Sequence, residues 1–168
     1  SKIFQFKTIK HDFDKKYINF FKDDKYKFTN NVNNIIKQKM FVLSAFNLAY
    51  LAFVHNKINI KKKYIYLWPD GITAKLFFKK KKIPGRIILK RLKNDESFQN
   101  VYLINKKNNR DLNYIKKKFP KKNIYNIKAP YGPINLIIRT IKDRILKIKN
   151  KSLIILALPT PKQEIIAA

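Results

Sequence analysis

Short apolar runs of β-forming residues alternate with segments of helical period from residue 41 onward. The apolar runs predict five strands, at Phe41–Phe46, Tyr64–Trp68, Val101–Ile104, Asn123–Ile127 and Leu153–Leu158. The segments between them predict helices at Leu48–Asn56, Ile72–Lys80, Arg86–Lys93, Asn109–Phe119 and Ile134–Lys149. Strands that alternate with helices predict an α/β fold, with a mostly parallel sheet covered by helices on both faces.

The chain of 168 residues has the length of one domain. Residues 1–40 form an amphipathic lead-in with a predicted helix near Asn30–Lys39, and residues 41–168 form the α/β core. The longest apolar stretch, Met40–Val54, is shorter than the roughly 20 residues of a spanning helix. We therefore expect a soluble intracellular domain that can rest on a membrane. The last helix has hardly begun at Ala168, which predicts a truncated domain.

The formal net charge of +29 raises the question of a nucleic-acid partner. Lysine supplies 34 of the 39 basic residues, whereas dedicated nucleic-acid binders rely on the planar guanidinium of arginine. The lysines form runs that are typical of solvated faces and loop edges. We therefore expect no specific nucleic-acid site, although a diffuse positive field attracts phosphates and anionic lipids.

The residues that bind metals or act as nucleophiles are scarce. No cysteine is present, and His11 and His55 have no companion at ligand spacing. Asp12 and Asp14 form a D-x-D pattern, but they lie in a lysine-rich stretch away from any predicted strand end. The sequence predicts neither a metal site nor a bound cofactor.

The three glycines of the chain each lie in a distinctive loop. They are Gly71 after Pro69-Asp70, Gly85 after Pro84, and Gly132 between Tyr131 and Pro133. In a chain so poor in glycine, these positions indicate a positive φ or a close approach of another group, with an ordinary turn as the alternative.

Asp70 is the most informative acidic residue because it directly follows a predicted strand. Open parallel sheets bind their ligands at the carboxyl ends of the strands. A carboxylate there is placed to accept a proton as a general base. It can equally cap the helix that begins near Gly71, and the two roles are compatible.

The segment Leu158–Glu164 predicts a second strand-to-helix junction. Thr160 fits the N-cap, Pro161 the first helical position, and Gln163 completes a capping box. A helix start at a strand's carboxyl end also binds anions, and Lys162 and Gln163 would extend such a site. Asn47 and the Tyr131-Gly132 pair occupy equivalent places after their strands, so four loops are predicted to leave one edge of one sheet and form one cleft.

Six motifs follow one another along residues 41–168: Phe46-Asn47, Pro69-Asp70-Gly71-Ile72, Ile83-Pro84-Gly85-Arg86, Val101-Tyr102-Leu103-Ile104, Pro130-Tyr131-Gly132 and Pro159-x-Pro161-Lys162-Gln163-Glu164. In this order they resemble the WecG/TagA/CpsF glycosyltransferases, glycosyltransferase family 26. The D-G and P-K-Q-E elements are the most specific. The chain differs from the family pattern where it has Ala45, Pro69, Thr73, Asn105 and Pro159.

The resemblance implies a Rossmann-like fold and the inverting transfer of a sugar, such as N-acetylmannosamine or its uronic acid, from a UDP donor. The acceptor would be a saccharide on polyprenyl pyrophosphate at the inner face of the plasma membrane. Asp70 would be the catalytic base, with no metal required. Substrate contacts are expected from Asn47, Gly71, Arg86, Tyr131, Gly132, Thr160, Lys162 and Gln163. The partners would be the UDP-sugar, the lipid-linked acceptor and an anionic membrane surface.

Two alternatives remain open from the sequence. One is a basic nucleic-acid-binding protein, which would bind DNA with a steep dependence on salt and would give Asp70 no role. The other is an inactive fragment of a glycosyltransferase. The transferred sugar and the oligomeric state are also open.

Overall fold

The computed structural model describes residues 29, 34–35, 37–38, 40–47, 49–50, 64–70, 75, 81–106 and 108–167. Within these ranges the strands are β1 (Val42–Phe46), β2 (Ile65–Pro69), β3 (Asn100–Asn105), β4 (Asn123–Lys128) and β5 (Ser152–Ala157). The helices are α1 (Gly85–Lys93), α2 (Asn109–Lys118), α3 (Ile134–Leu146) and α4 (Lys162–Ala167). The architecture is α/β, with every strand pair parallel, and it is consistent with a Rossmann-like fold.

The five strands form two hydrogen-bonded sheets in the described part of the chain. One contains β1 and β2, and the other has the order β4-β3-β5. The prediction that the four loops leave a single sheet is therefore wrong for these residues. Which strands pair is determined by tertiary packing, and local sequence patterns do not contain that information. Both sheets nevertheless contribute to one core, since Leu43 and Trp68 pack against the cluster that contains Leu103.

Helices cover both faces of β3 because its side chains alternate. Val101 and Leu103 are fully buried under α1 and α2, in a cluster with Ile88 and Ile115. Ile104, on the opposite face, packs in a second cluster under α3. The predicted placement of helices on both faces is confirmed.

The helix α3 follows from its apolar stripe, which buries Ile137 and Ile141 against the second cluster. It ends at Leu146 rather than at Lys149 as the periodicity predicts. The reason is that Ile148 donates its backbone N–H to Ile145 in a closing turn, so the apolar spacing continues past the last helical residue.

The remaining predicted helices lie mostly outside the described residues. Asn34, Ile35, Ala49, Tyr50 and Lys75 are helical, in agreement with three predicted segments. The motif Asp12–Asp14, both histidines and Gly71 fall outside the described ranges. No helix within those ranges combines the length and apolar character needed to cross a bilayer.

Candidate active site

Asp70 and Asn47 are neighbours at the carboxyl ends of two paired parallel strands. Phe46 and Pro69 are aligned in register at the ends of β1 and β2, so the residues that follow them leave side by side. The backbone N–H of Asp70 donates to the carbonyl of Phe46 at 3.1 Å, which fixes the start of the loop. Both side chains are half-buried. This is the place where parallel sheets bind ligands.

Asn47 also has a structural role that its position explains. Its Oδ1 accepts the backbone N–H of Tyr50 at 2.9 Å, which is the bond of a helix N-cap. The Tyr50 ring packs 5.7 Å from the ring of Phe46, and both side chains are buried. The capping bond uses the side-chain oxygen, so the amide nitrogen is the group of Asn47 that can meet a ligand.

Arg86 reaches this edge from α1. The chain returns to β2 at Ile83, whose backbone N–H donates to the carbonyl of Pro69 at 2.7 Å. Arg86 follows in the first turn of α1, and its side chain is exposed. Gly85 is not required by the backbone, because its φ is not positive and an added Cβ would meet no atom of the described residues within 4 Å. Of the two alternatives left open for Gly85, the structure agrees with the one without a special conformation.

Gly132 confirms the prediction that a glycine of this chain has a positive φ or a close neighbour. Its φ of 134° is disfavoured for other residues, and an added Cβ would lie 3.2 Å from Cδ2 of Leu136. The neighbouring Tyr131 is 69% exposed, and the ammonium of Lys106 lies 4.9 Å from its ring centroid. Lys162 donates from Nζ to the carbonyl of Gly132 at 2.5 Å. The loops after β3, β4 and β5 therefore meet at one edge of the three-stranded sheet.

The junction before α4 differs from the predicted capping box. The peptide bond between Thr160 and Pro161 is cis, and the helix begins at Lys162. The hydroxyl of Thr160 donates to Oε1 of Glu164 at 3.2 Å, and it accepts the amide of Gln163 at 3.5 Å. Thr160 is therefore not an N-cap, since its side-chain oxygen is engaged by side chains rather than by a backbone N–H.

Glu164 is the unexpected residue of this junction because it is a buried acid, 6% exposed. Its Oε1 accepts the Gln163 amide at 2.8 Å, while Oε2 has no hydrogen-bond partner among the described residues. A buried carboxylate opposes the binding of a phosphate at the same point, so the predicted anion site at Thr160 is unfavourable next to Glu164. Gln163 is held against this carboxylate and positions it.

Asn105 is a second buried polar residue, and the sequence reasoning did not select it as a ligand contact. It ends the central strand β3 and is fully buried. Its Nδ2 donates to the carbonyl of Asn108 at 2.9 Å, but its Oδ1 has no hydrogen-bond partner within the part of the chain that the structure describes. An orphaned buried acceptor costs about 1–3 kcal/mol, so the site favours a ligand that donates a hydrogen bond. The sequence feature that could have identified Asn105 is its position as the polar residue directly after the apolar run Val101–Ile104.

The candidate residues thus form two groups, one at each sheet. Asn47 and Asp70 follow the strands of the two-stranded sheet, and Arg86 lies in the first turn of α1. The candidates at the carboxyl edge of β4-β3-β5 are Tyr131, Gly132, Thr160, Lys162 and Gln163, whereas Gly71 lies outside the described residues. Within the described residues, no three histidine, aspartate or glutamate side chains gather in a cluster that could hold a metal ion. No protein-family model, curated protein or solved structure matches the chain.

Proposed function

We propose that the protein is an inverting glycosyltransferase that moves a hexose, of the N-acetylmannosamine type or a related one, from a UDP donor to a saccharide on polyprenyl pyrophosphate. The observation that carries the proposal is the Asp70 side chain beside Asn47 at the carboxyl ends of β1 and β2. A half-buried carboxylate at this position suits a general base. The resemblance of the motifs to family 26 supplies the substrate class.

In the proposed reaction, Asp70 removes the proton from the attacking hydroxyl of the acceptor. The hydroxyl oxygen forms a bond to the anomeric carbon, and the bond from that carbon to the UDP oxygen breaks on the opposite face. One displacement inverts the anomeric configuration, so a second carboxylate is not needed as a nucleophile. UDP leaves with the bonding electrons.

The negative charge that develops on UDP requires cations near the leaving oxygen. Arg86 lies at the edge that carries Asp70, while Lys106 and Lys162 lie at the edge of the other sheet. Lys162 is already ordered by its bond to Gly132, which lowers the entropy cost of meeting a phosphate. In the proposal these side chains stabilise the pyrophosphate without a metal.

Hydroxyl groups of the nucleotide sugar fit the two orphaned acceptors. Oδ1 of Asn105 and Oε2 of Glu164 are buried, and no described residue donates a hydrogen bond to either oxygen. A sugar or ribose hydroxyl would provide one to either oxygen, and it would remove the desolvation cost that each now carries. In this assignment Gln163 and Thr160 orient Glu164, and the exposed Tyr131 ring offers a stacking surface.

The proposed acceptor is lipid-linked, so the enzyme would work in the cytoplasm, at the inner face of the plasma membrane. The net charge of +29 favours contact with anionic lipid, at about 1 kcal/mol per basic residue near the surface. The direct test incubates the protein with radiolabelled UDP-N-acetylmannosamine and a polyprenyl-linked saccharide, and then measures label in the organic phase. Transfer that Asp70→Asn abolishes would support the proposal, whereas unchanged transfer by that variant would contradict it.

A second candidate, a basic nucleic-acid-binding protein, is favoured by the same charge. It predicts binding to a short DNA oligomer that weakens steeply with salt. It leaves the arrangement of Asp70 and Asn47 and the orphaned oxygen of Glu164 without a role. DNA binding at physiological salt together with silence toward UDP would favour this candidate.

A further inference from the structure

The helices α1 and α2 cover the same face of β3, and their outer surface carries charge of one sign. Every exposed charged side chain on these two helices is basic: Arg86, Lys90, Arg91, Lys93, Arg110, Lys116 and Lys117. The only acidic residue on either helix, Asp111, is half-buried. By contrast, α3 mixes exposed Arg139, Lys142 and Arg144 with exposed Asp143. We call the outer surface of α1 and α2 the basic face.

Apolar side chains lie among these cations. Ile88 and Leu92 are buried inward on α1, so Ile87 and Lys90 occupy the opposite, outward side of that helix. Ile87 is 37% exposed there, and on α2 the Tyr114 ring is 44% exposed with the Lys118 ammonium 5.3 Å from its centroid. Basic side chains that surround exposed aliphatic and aromatic groups are typical of a surface that lies on a lipid headgroup layer.

We propose that the basic face docks on an anionic phospholipid bilayer. Charge complementarity identifies the occupant, and Ile87 distinguishes it from nucleic acid. An aliphatic side chain gains burial when it enters the boundary between headgroups and acyl chains. A nucleic-acid phosphate backbone has no apolar region in which an aliphatic side chain could be buried. The lysine and arginine side chains then contact lipid phosphates around the inserted residue.

This orientation would bring the candidate active site to the membrane. Both helices begin at the carboxyl edge of the sheets and end at the amino edge, since they lead into or follow parallel strands. Arg86 and Arg110, in the first turns, therefore lie at the end of the basic face that meets the carboxyl edge. This step rests on the proposed function, because only there does a lipid-linked acceptor arrive from the bilayer.

The test compares two lysine-to-glutamate triple variants of the full chain with identical changes in net charge. One carries Lys90→Glu, Lys93→Glu and Lys117→Glu on the basic face. Its matched control carries Lys142→Glu, Lys147→Glu and Lys149→Glu, which are exposed on or just after α3. Binding is measured by flotation with vesicles of phosphatidylcholine containing 30% phosphatidylglycerol and with vesicles of phosphatidylcholine alone. Circular dichroism confirms that both variants fold.

We expect the basic-face variant to lose about 100-fold in partitioning to anionic vesicles, because each lysine near the surface contributes about fivefold. The control should lose less than about fivefold. Equal losses in both variants, or no loss in the first, would overturn the proposal. UDP titration of the same variants tests the proposed function separately from membrane docking. A basic-face variant that binds UDP normally but no longer binds vesicles would support both hypotheses. Loss of vesicle binding in a protein that never binds UDP would support docking and contradict the proposed function.

One substitution distinguishes a lipid partner of the basic face from a nucleic-acid partner. Ile87→Ser removes the aliphatic group and retains every charge, so it should weaken vesicle binding several-fold and leave any binding of a DNA oligomer unchanged. If Ile87→Ser leaves vesicle binding unchanged while the basic-face lysines prove necessary for DNA binding, the face is a nucleic-acid surface and the proposal is wrong.

Discussion

The backbone N–H of Asp70 donates to the carbonyl of Phe46 at 3.1 Å, and this bond joins the loops that leave two paired parallel strands. It places the proposed catalytic base beside Asn47, whose side chain caps the helical residues that follow β1. The carboxylate therefore starts from a rigid strand end, as the positioning of a general base requires.

Replacing the base tests its chemistry directly. Asp70→Asn preserves the size of the side chain and removes its capacity to accept a proton, so kcat should fall by about 10²–10⁴-fold. Affinity for UDP should change little, because the base acts on the acceptor hydroxyl. Steady-state kinetics and UDP titration of the same preparation provide both values. A kcat within about threefold of the unsubstituted protein would exclude Asp70 as the base.

Asn47 combines a capping role with a proposed ligand contact, and two substitutions separate them. Asn47→Ala removes the acceptor for the Tyr50 N–H and should lower the free energy of unfolding by about 1 kcal/mol. Asn47→Ser restores a capping oxygen but not the amide nitrogen. Urea unfolding should therefore show Asn47→Ser near the original stability, while calorimetry shows weaker donor binding. If Asn47→Ser and the unsubstituted protein bound the donor equally well, Asn47 would have a capping role and no ligand contact.

The conformation of Gly132 predicts a sharp contrast between two glycines. Gly132→Ala forces a Cβ into a backbone with φ of 134° and within 3.2 Å of Leu136, so it should destabilise the protein by more than about 1 kcal/mol. Gly85→Ala is the matched control, because its added Cβ meets open space at the start of α1. That change should be neutral or stabilising by up to about 1 kcal/mol. Thermal unfolding of both variants checks the contrast, and similar melting temperatures would contradict it.

Lys122 joins the two loops that precede β3 and β4 at the amino edge of the three-stranded sheet. Its ammonium donates to the carbonyls of Asp95 and Phe98, both at 2.7 Å, and lies 4.8 Å from the Phe98 ring centroid. Lys122→Met should cost about 1–3 kcal/mol in the free energy of unfolding, since hydrogen bonds to charged groups are lost from a half-buried position.

The neighbouring Lys121 provides the control for that change. Its side chain is exposed, so Lys121→Met should alter stability by no more than about 0.5 kcal/mol. Chemical denaturation of the two variants measures both free energies. If Lys122→Met were as stable as Lys121→Met, the two carbonyl contacts would contribute nothing to the fold.

Local patterns predict the strands to within one or two residues. The run after Lys151 illustrates this, because the prediction Leu153–Leu158 corresponds to β5 at Ser152–Ala157. A short apolar run of β-forming residues that ends at turn-forming residues has few alternatives in a chain of this length. The division into two sheets was not predictable in this way, since it depends on contacts between strands far apart in sequence.

The candidate site was predictable only where a single residue carries its own signal. Gly132 was selected because glycine is rare in this chain, and its positive φ agrees with that prediction. Asp70 was selected because it directly follows a predicted strand, and β2 does end at Pro69. Thr160 was misjudged because its hydroxyl bonds to Glu164, a preference that the capping pattern does not contain. The burial of Asn105 and Glu164 follows from packing at the carboxyl edge and could not be derived from local sequence.

The first measurement is isothermal titration of UDP into the protein at near-physiological salt, with AMP and a short DNA oligomer as controls. We expect saturable binding of UDP that is absent for AMP and weaker in a Gln163→Ala variant, because that variant removes the amide that bonds to Oε1 of Glu164. Absence of UDP binding to the folded protein, with or without salt-sensitive binding to DNA, would contradict the proposed glycosyltransferase function.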